Sequence, residues 1–375
     1  MQCRPAWAEV DLGAVTQNTA ALAALAAPAS LCAVVKAGAY GHGTVPVARA
    51  ALAGGASWLA VALVDEAAPL RETGVTAPIL LLSEPSLDAL PDAVALGLTP
   101  TLYSLAGVEA AAKAVAAAGR TTPLPVHVKV DTGMHRVGAP PEVAVSLVLA
   151  VVERPELRLE GLWTHFAVAD DPDDPFTAEQ HARFAAVVDE LAVHGVRPPL
   201  LHACNSAGTI AHPSARHELV RCGIAVYGVA PSPALEGSVD LRPAMSLRAR
   251  VAQVKDVAAG DGISYGLRYR FERRSVVATV PLGYADGVPW RLGAVGGEVL
   301  IGGRRRPIAG AVTMDQITVD CGDDAGVAAG DEVVLLGSQG DEYIDAWEWA
   351  HRLGTIAYEV VCGVGPRVHR TYVGG

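Results

Sequence analysis

The chain has 375 residues, 51% of them hydrophobic and 5% aromatic, with a formal net charge of −11 at pH 7. That length is more than one small domain needs, and it suits an α/β barrel with a second, smaller domain. The acidic balance, with no basic cluster to offset it, speaks against a nucleic-acid surface, and no apolar run is long and uncharged enough to predict a membrane span.

The opening MQCRPAWAEVDLG has no apolar signal core, so the expectation is a soluble, cytoplasmic protein. Its CRPAWAEVDL stretch reads as extended and is expected to pair with the second domain. From Leu31 to about Arg221, eight short apolar runs follow: LCAVVK (31–36), WLAVAL (58–63), PILLLS (78–83), LTPTLY (98–103), PVHVKV (125–130), LEGLWTHF (159–166), PLLHAC (199–204) and ELVRCG (218–223). Helix-length stretches separate most of them, for example 44–53, 86–96, 104–119 and 177–195. The third of these is rich in alanine, the best helix former. Eight such units predict a (β/α)8 barrel, although periodicity alone leaves a doubly wound open sheet as an alternative.

After Pro233 the texture changes. Residues 246–257 alternate polar and apolar, and strand-like runs at 275–281, 298–301, 317–320 and 332–336 are divided by Gly, Asp and Pro turns. This predicts a mostly-β domain, interrupted by a helix at 345–353 and a final extended tail. Arg304–Arg306, beside Gly302, Gly303 and Pro307, read as a hairpin turn. With the linker PSPALEGS (231–238), the division becomes a barrel over 10–233 and a β domain over 234–375, joined by a strand over 1–9. Six cysteines, at 3, 32, 204, 222, 321 and 362, have no CxxC spacing. They predict reduced, buried thiols rather than a disulfide framework.

The densest chemical signal is AVVKAGAYGHG (33–43), in which an apolar run ends in Lys36 and Gly38, Gly41 and Gly43 follow with Tyr40 and His42 between them. A lysine desolvated at a strand end has a lowered pKa and an accessible nucleophilic amine, as a Schiff base requires. The plainer alternative is a lysine that snorkels to water. Barrel enzymes place reacting groups at the carboxyl ends of strands. Here Lys129, Arg136 in the loop DTGMHRVG (131–138), His165, Asn205 with Ser206, and Arg221 with Gly223 and Ile224 all fall at such ends. The acidic ADDPDDP (169–175) reads as a solvated surface loop, and no histidine–carboxylate spacing resembles a zinc site.

These motifs resemble, in order and spacing, the bacterial alanine racemase family of pyridoxal-phosphate enzymes. The resemblance runs through RPAWAEVDLGAV, AVVKAGAYGHG, VKVDTGMHRVG, THFAVAD, NSAGT, VRCGIAVYGVAPS, GISYG, PLGYADG, TMDQ and TIAYEV. It implies that Lys36 holds pyridoxal 5′-phosphate and acts as a base on one face of the substrate Cα. Tyr265 of GISYG would act on the other face, since racemisation needs two-sided proton transfer. His165 and Arg221 would help Tyr265 to ionise. Arg221 would face the pyridine nitrogen; an arginine donates a hydrogen bond without giving up its proton, which weakens the electron sink. The plainer reading of Arg221 is a structural pair with Glu218. Backbone amides of Gly223 and Ile224, with Ser206, Tyr40 and Tyr358, would hold the phosphate, and Asn205 would orient neighbouring side chains. Arg136 and the backbone of Met314, followed by Asp315, would meet the substrate carboxylate. Lys129 would be carbamylated, giving an anion for Arg136. Tyr265 and Met314 would reach the barrel of a partner subunit in a head-to-tail homodimer.

The chain departs from the family pattern at Gly38, where Asn is usual, at His135, where Gly is frequent, and at Thr313, where Cys is common. Three rivals stand beside the racemase: an amino-acid decarboxylase on the same fold, a non-enzymatic pyridoxal-phosphate-binding barrel, and a racemase for another amino acid such as serine. GISYG and TMDQ disfavour the first, and the large C-terminal domain disfavours the second. The third is poorly separated, because a methyl and a hydroxymethyl pocket differ by only about 1–3 kcal/mol.

Overall fold

The computed structural model describes residues 4–375; Cys3 and the start of the strand expected over 1–9 lie outside the described residues. Two compact units emerge. One comprises 14–39 and 44–242; the other comprises the residues up to 13, 40–43 and 243–375.

In the first unit all eight apolar runs form parallel strands. They are β2 (Ser30–Val34), β3 (Trp58–Val61), β4 (Ile79–Leu81), β5 (Thr101–Leu102), β6 (Leu124–Lys129), β7 (Leu157–Trp163), β8 (Leu200–His202) and β9 (Leu219–Cys222). They pair in the orders β4-β3-β2-β9 and β5-β6-β7-β8. Leu81 N–H donates to Thr99 C=O (2.9 Å) and Arg221 N–H to Cys204 C=O (3.0 Å), which joins the two halves into a ring. The open-sheet alternative is thereby excluded. Strands covered on both faces need continuous apolar sequence, and β3, β4 and β9 are buried almost throughout. The helices Leu105–Ala117, Pro141–Val152 and Phe176–Val193 press Val108, Val148, Phe184 and Leu191 into one core with Val126, Val128 and Leu162. Each such aliphatic or aromatic side chain contributes about 1.5–3 kcal/mol on burial. The first of these helices starts where Ser104 Oγ accepts the Gly107 N–H, an N-cap.

In the second unit, β1 (Ala6–Asp11) runs antiparallel to β10 (Met245–Arg250) and parallel to β20 (His369–Val373). Burial alternates along β1 and β10, as for sheets with one covered face. The strands β11 (Gln253–Val257), β14 (Ser275–Val280) and β17 (Ile317–Asp320) form a separate sheet. The alternating run 246–257 thus divides between two sheets. Short strands β12 (Gly262–Ile263) and β13 (Tyr269–Arg270) form a hairpin. The larger sheet also holds β15 (Glu298–Ile301), β16 (Arg304–Pro307), β18 (Glu332–Gln339) and β19 (Glu342–Ile344).

Two sequence expectations need correction. Arg304–Arg306 lie in β16; the turn is Gly302–Gly303, whose φ values of 62° and 70° favour glycine. Arg305 is drawn into the strand by carboxylates, reaching Glu298, Glu342 and Glu348 at 3.2, 2.9 and 2.9 Å. Cys32, Cys204, Cys222 and Cys321 are free and buried, but Cys362 is free and exposed, on the helix Ala357–Gly363 that the sequence reading did not foresee. Among the described residues, no helix is long and apolar enough to cross a membrane.

Candidate active site

Lys36 stands two residues beyond β2, not at its end. Val35 N–H still pairs with Ala60 C=O (2.8 Å), and Tyr227 Oη donates to Val34 C=O (2.8 Å), fixing the strand's exit. The backbone then makes a left-handed turn: Ala37, Gly38, Ala39 and Tyr40 have φ of 52°, 63°, 56° and 52°. An L-residue other than glycine loses about 1–2 kcal/mol in this conformation, so the turn needs anchors. Ala39 N–H donates to Val35 C=O (3.0 Å). Glu66 Oε1 accepts the Ala37 N–H (2.6 Å), while its Oε2 takes Ala62 N–H (2.8 Å) and Leu63 N–H (3.2 Å). Glu66 therefore ties the lysine turn to the loop after β3.

Arg221 lies in β9, in register with Cys32 of β2, and is 2% exposed. Its Nη1 donates to His202 Nδ1 (2.7 Å); its Nη2 donates to the carbonyls of Thr164 (2.8 Å) and Ala203 (2.9 Å) and lies 3.2 Å from His165 Nδ1. It has no ion pair with Glu218, whose carboxylate accepts the Leu201 N–H (2.9 Å) instead. Burial draws the Arg221 pKa down to about 10, still a cation at neutrality. Trp163 forms the floor. His202 stacks on its ring at 5.4 Å, and the Arg221 guanidinium and the Lys129 amine each lie 4.5 Å from its centroid.

Lys129 is the last residue of β6 and is 2% exposed. Burial, then the positive charges of Arg221 and Arg136, lower its pKa to about 7, against the pull of Asp131. The following loop is pinned by Asp131 Oδ1, which accepts the N–H groups of Gly133 (3.1 Å) and His135 (3.0 Å). His135 has φ 54°, which explains why glycine is at home there; in this chain its Nδ1 sits 3.3 Å from Asp131 Oδ2. Arg136 projects exposed from the same loop.

His165 lies two residues past β7, and burial, with the nearby cations, holds its pKa well below the usual histidine value. Gln180 fixes this strand end: its Nε2 donates to His165 C=O (3.1 Å) and Thr132 Oγ1 (3.2 Å), and its Oε1 accepts the Ala167 N–H (2.8 Å). Asn205 caps the helix Ser206–Ala211 through the Gly208 N–H (2.9 Å). Ser206 Oγ accepts the Gly223 N–H (2.9 Å). Of the two amides expected to meet an anion, Gly223's is thus engaged, and Ile224's, opening a 3-10 turn, has no acceptor among the described residues.

The other expected residues belong to the second unit. Tyr40 and Tyr358 have ring centroids 6.4 Å apart. Gly41, with φ 81°, has no room for a side chain, since a Cβ would lie 2.6 Å from Val361 C=O. Tyr265 and Met314 are 78% and 53% exposed.

In the barrel unit, Lys129 and Arg221 form no ion pair among the described residues and converge with Lys36 and Arg136 through space. A cluster of cations and amide donors beside the Lys36 amine suits an anionic ligand with a carbonyl able to condense with that amine. The sequence reading missed Glu66, His127, His202, Trp163, Thr164 and Gln180. They lie within apolar strand runs or helical stretches, and no local pattern sets them apart from their neighbours.

The family model described as alanine racemase, N-terminal domain, matches residues 10–231, and the one described as alanine racemase, C-terminal domain, matches 244–372. An alanine racemase of Symbiobacterium thermophilum is 47% identical, covering 99% of this chain and 98% of its own length. The solved alanine racemase of Streptomyces coelicolor superposes with a TM-score of 0.93 at 42% identity, over 99% of this chain and 98% of that one. A histidine racemase of Leuconostoc mesenteroides superposes at 0.90 with 28% identity, over 100% and 99%.

Proposed function

Since the chain belongs to the alanine racemase family, we propose that it interconverts L- and D-alanine with pyridoxal 5′-phosphate. The observation that carries this reading is the placement of Lys36 just beyond β2 and of Arg221 within β9, the strand that pairs with β2, beside the buried Lys129 and a donor-rich turn.

Pyridoxal phosphate, when bound, supplies the electron sink that acidifies the substrate Cα–H. The residues do the rest. Lys36 carries the cofactor and moves the proton on one face of Cα; Tyr265 moves it on the other. Arg221 donates a hydrogen bond to the pyridine nitrogen and, held by His202 and two carbonyls, keeps its own protons. That restricts delocalisation and disfavours side reactions. Ser206 and the Ile224 amide, with Tyr40 and Tyr358, hold the phosphate, the Gly223 N–H orienting the Ser206 hydroxyl, and Asn205 sets the helix start that presents Ser206. His165 packs by the ring. Arg136 and the Met314 amide orient the substrate carboxylate, and Lys129 as its carbamate neutralises the cations around Arg136. We place Tyr265 and Met314 in the site of a partner subunit, within a head-to-tail homodimer working in the cytoplasm to supply D-alanine for peptidoglycan.

The histidine racemase of the same fold favours a second reading, in which the side-chain pocket serves another amino acid. Chiral chromatography of cofactor-loaded protein with L-alanine, L-serine, L-lysine and L-histidine separates the two. Rapid approach to an equal mixture with alanine alone is expected. No D-enantiomer from any of them would overturn the assignment.

A further inference from the structure

Within the C-terminal unit, four stretches far apart in sequence meet around Asp286, which is 0% exposed. Arg4 Nη1 and Nη2 grip its Oδ1 and Oδ2 at 2.7 Å each, the bidentate fork typical of strong arginine–carboxylate pairs. Asp286 Oδ2 also accepts the Gly283 N–H (2.9 Å), and Arg367 Nε lies 3.4 Å from Oδ1. The same two arginines continue onto the next loop. Arg4 Nη2 donates to Asp315 C=O (2.9 Å) and Arg367 Nη2 to Asp315 Oδ1 (2.6 Å).

The backbone completes the grip. Tyr284 N–H donates to Thr313 C=O (2.9 Å) and Ala285 N–H to Met314 C=O (3.0 Å). Three successive carbonyls, of Thr313, Met314 and Asp315, are therefore tied back, while the Met314 amide has no acceptor among the described residues. A Cβ on Gly283 would lie 2.3 Å from Thr313 C=O and 2.4 Å from Met314 C=O, so the two loops touch as closely as glycine permits. A fixed backbone N–H beside carbonyls that are all occupied is suited to an anionic oxygen.

We propose that Arg4 and Asp286 are positioning residues for substrate binding, holding the Thr313–Asp315 loop so that the Met314 amide meets the substrate carboxylate. This rests on the reading above that Met314 receives that carboxylate. It gives the N-terminal arm a part in substrate affinity. A loop held in advance does not have to be ordered when the substrate arrives.

The test is steady-state racemisation by Arg4→Ala and Arg4→Lys, together with hydrogen exchange of the 311–317 backbone in the cofactor-free protein. Arg4 is partly exposed, and Arg367 Nε, 3.4 Å from Asp286 Oδ1, stays beside the buried carboxylate when Arg4 is removed. With Arg4→Ala, KM for both enantiomers should rise about tenfold while kcat changes by less than about threefold, the pattern of lost uniform binding. Exchange in 311–317 should quicken, and Arg4→Lys, which keeps charge but not the fork, should fall between. An Arg4→Ala enzyme with unaltered KM overturns the proposal. Met314→Pro removes the amide itself. If it raises KM while Arg4→Ala does not, the clamp alone fails; if it leaves KM unchanged, the Met314 reading and the clamp fail together.

Discussion

Arg221 Nη1 donates to His202 Nδ1 across 2.7 Å, and this single bond orders the protons of a buried chain. A guanidinium has no acceptor, so His202 Nδ1 must be bare and its Nε2 protonated. His202 Nε2 lies 2.8 Å from His127 Nδ1, which must therefore accept, leaving the His127 Nε2–H to face Glu160 Oε2 at 3.8 Å. Burial lowers both histidine pKa values, helped at His202 by Arg221. Nitrogen-15 NMR of labelled histidines at neutral pH should find both rings neutral and protonated at Nε2. An Nδ1–H or imidazolium signal from either ring would reject the arrangement.

The same chain predicts the effect of His202→Leu. It leaves a buried Arg221 N–H and His127 Nδ1 without partners, and each unsatisfied buried group costs about 1–3 kcal/mol. Urea denaturation should record that loss, with a fall in kcat as Arg221 loses its fixed orientation. Wild-type stability in this variant would mean that the bond carries no weight.

Lys129 links stability to pH with a definite sign. Its pKa is 10.5 as a free side chain and about 7 when folded, so between those values the unfolded chain holds a proton that the folded chain has shed. Stability therefore rises with pH across that window, and the full penalty of burying the cation applies below it. A carbamate at Lys129 would remove the penalty by placing an anion among Arg136, Arg221 and Lys36. Melting temperatures near neutral pH should be higher in bicarbonate than in CO2-free buffer, with one added CO2 in the native mass spectrum. Lys129→Ala should abolish the difference. Equal melting temperatures and an unmodified mass would sink the carbamate.

The barrel strands were legible because burial on both faces demands apolar runs, and the strand-end polar residues stood out against them. Lys36, Lys129, Arg221 and Ser206 are singled out in this way as candidates; proposing Tyr265 and Met314 needed the family resemblance. The left-handed turn was only half legible. Gly38, Gly41 and Gly43 hinted at positive φ, but Ala37, Ala39 and Tyr40 adopt it too, held by Glu66 from another strand's loop. Glu66, His202 and Asp286 act through partners 29, 19 and 282 positions away, and no local periodicity encodes such pairings.

Two glycines of that turn should respond in opposite ways. Gly38 has φ 63° and nothing within 4 Å of an added Cβ, and asparagine tolerates the left-handed region. Gly38→Asn should stabilise the protein by about 0.4–1 kcal/mol by restricting the unfolded chain. Gly41→Ala meets both the strain of φ 81° and a carbonyl at 2.6 Å, and should destabilise by about 1–3 kcal/mol or more. Chemical denaturation of the two variants checks both signs, and a destabilised Gly38→Asn would count against the open-space argument.

The shared-site reading can be decided by mixing two inactive proteins. Lys36→Ala removes the amine from the barrel unit; Tyr265→Phe removes a hydroxyl from a ring that is 78% exposed on the other unit. General acid–base groups contribute about 10²–10⁴-fold, so each homodimer should be nearly silent. If each site takes Lys36 from one protomer and Tyr265 from its partner, a mixed dimer contains one site lacking both groups and one with both intact. Random two-fold pairing at equal amounts should then restore about a quarter of wild-type activity. If each site is built within a single chain, both sites of every mixed dimer remain defective and no activity returns. Co-expression of the two variants, followed by a D-alanine assay, distinguishes these arrangements without requiring a structure of the dimer.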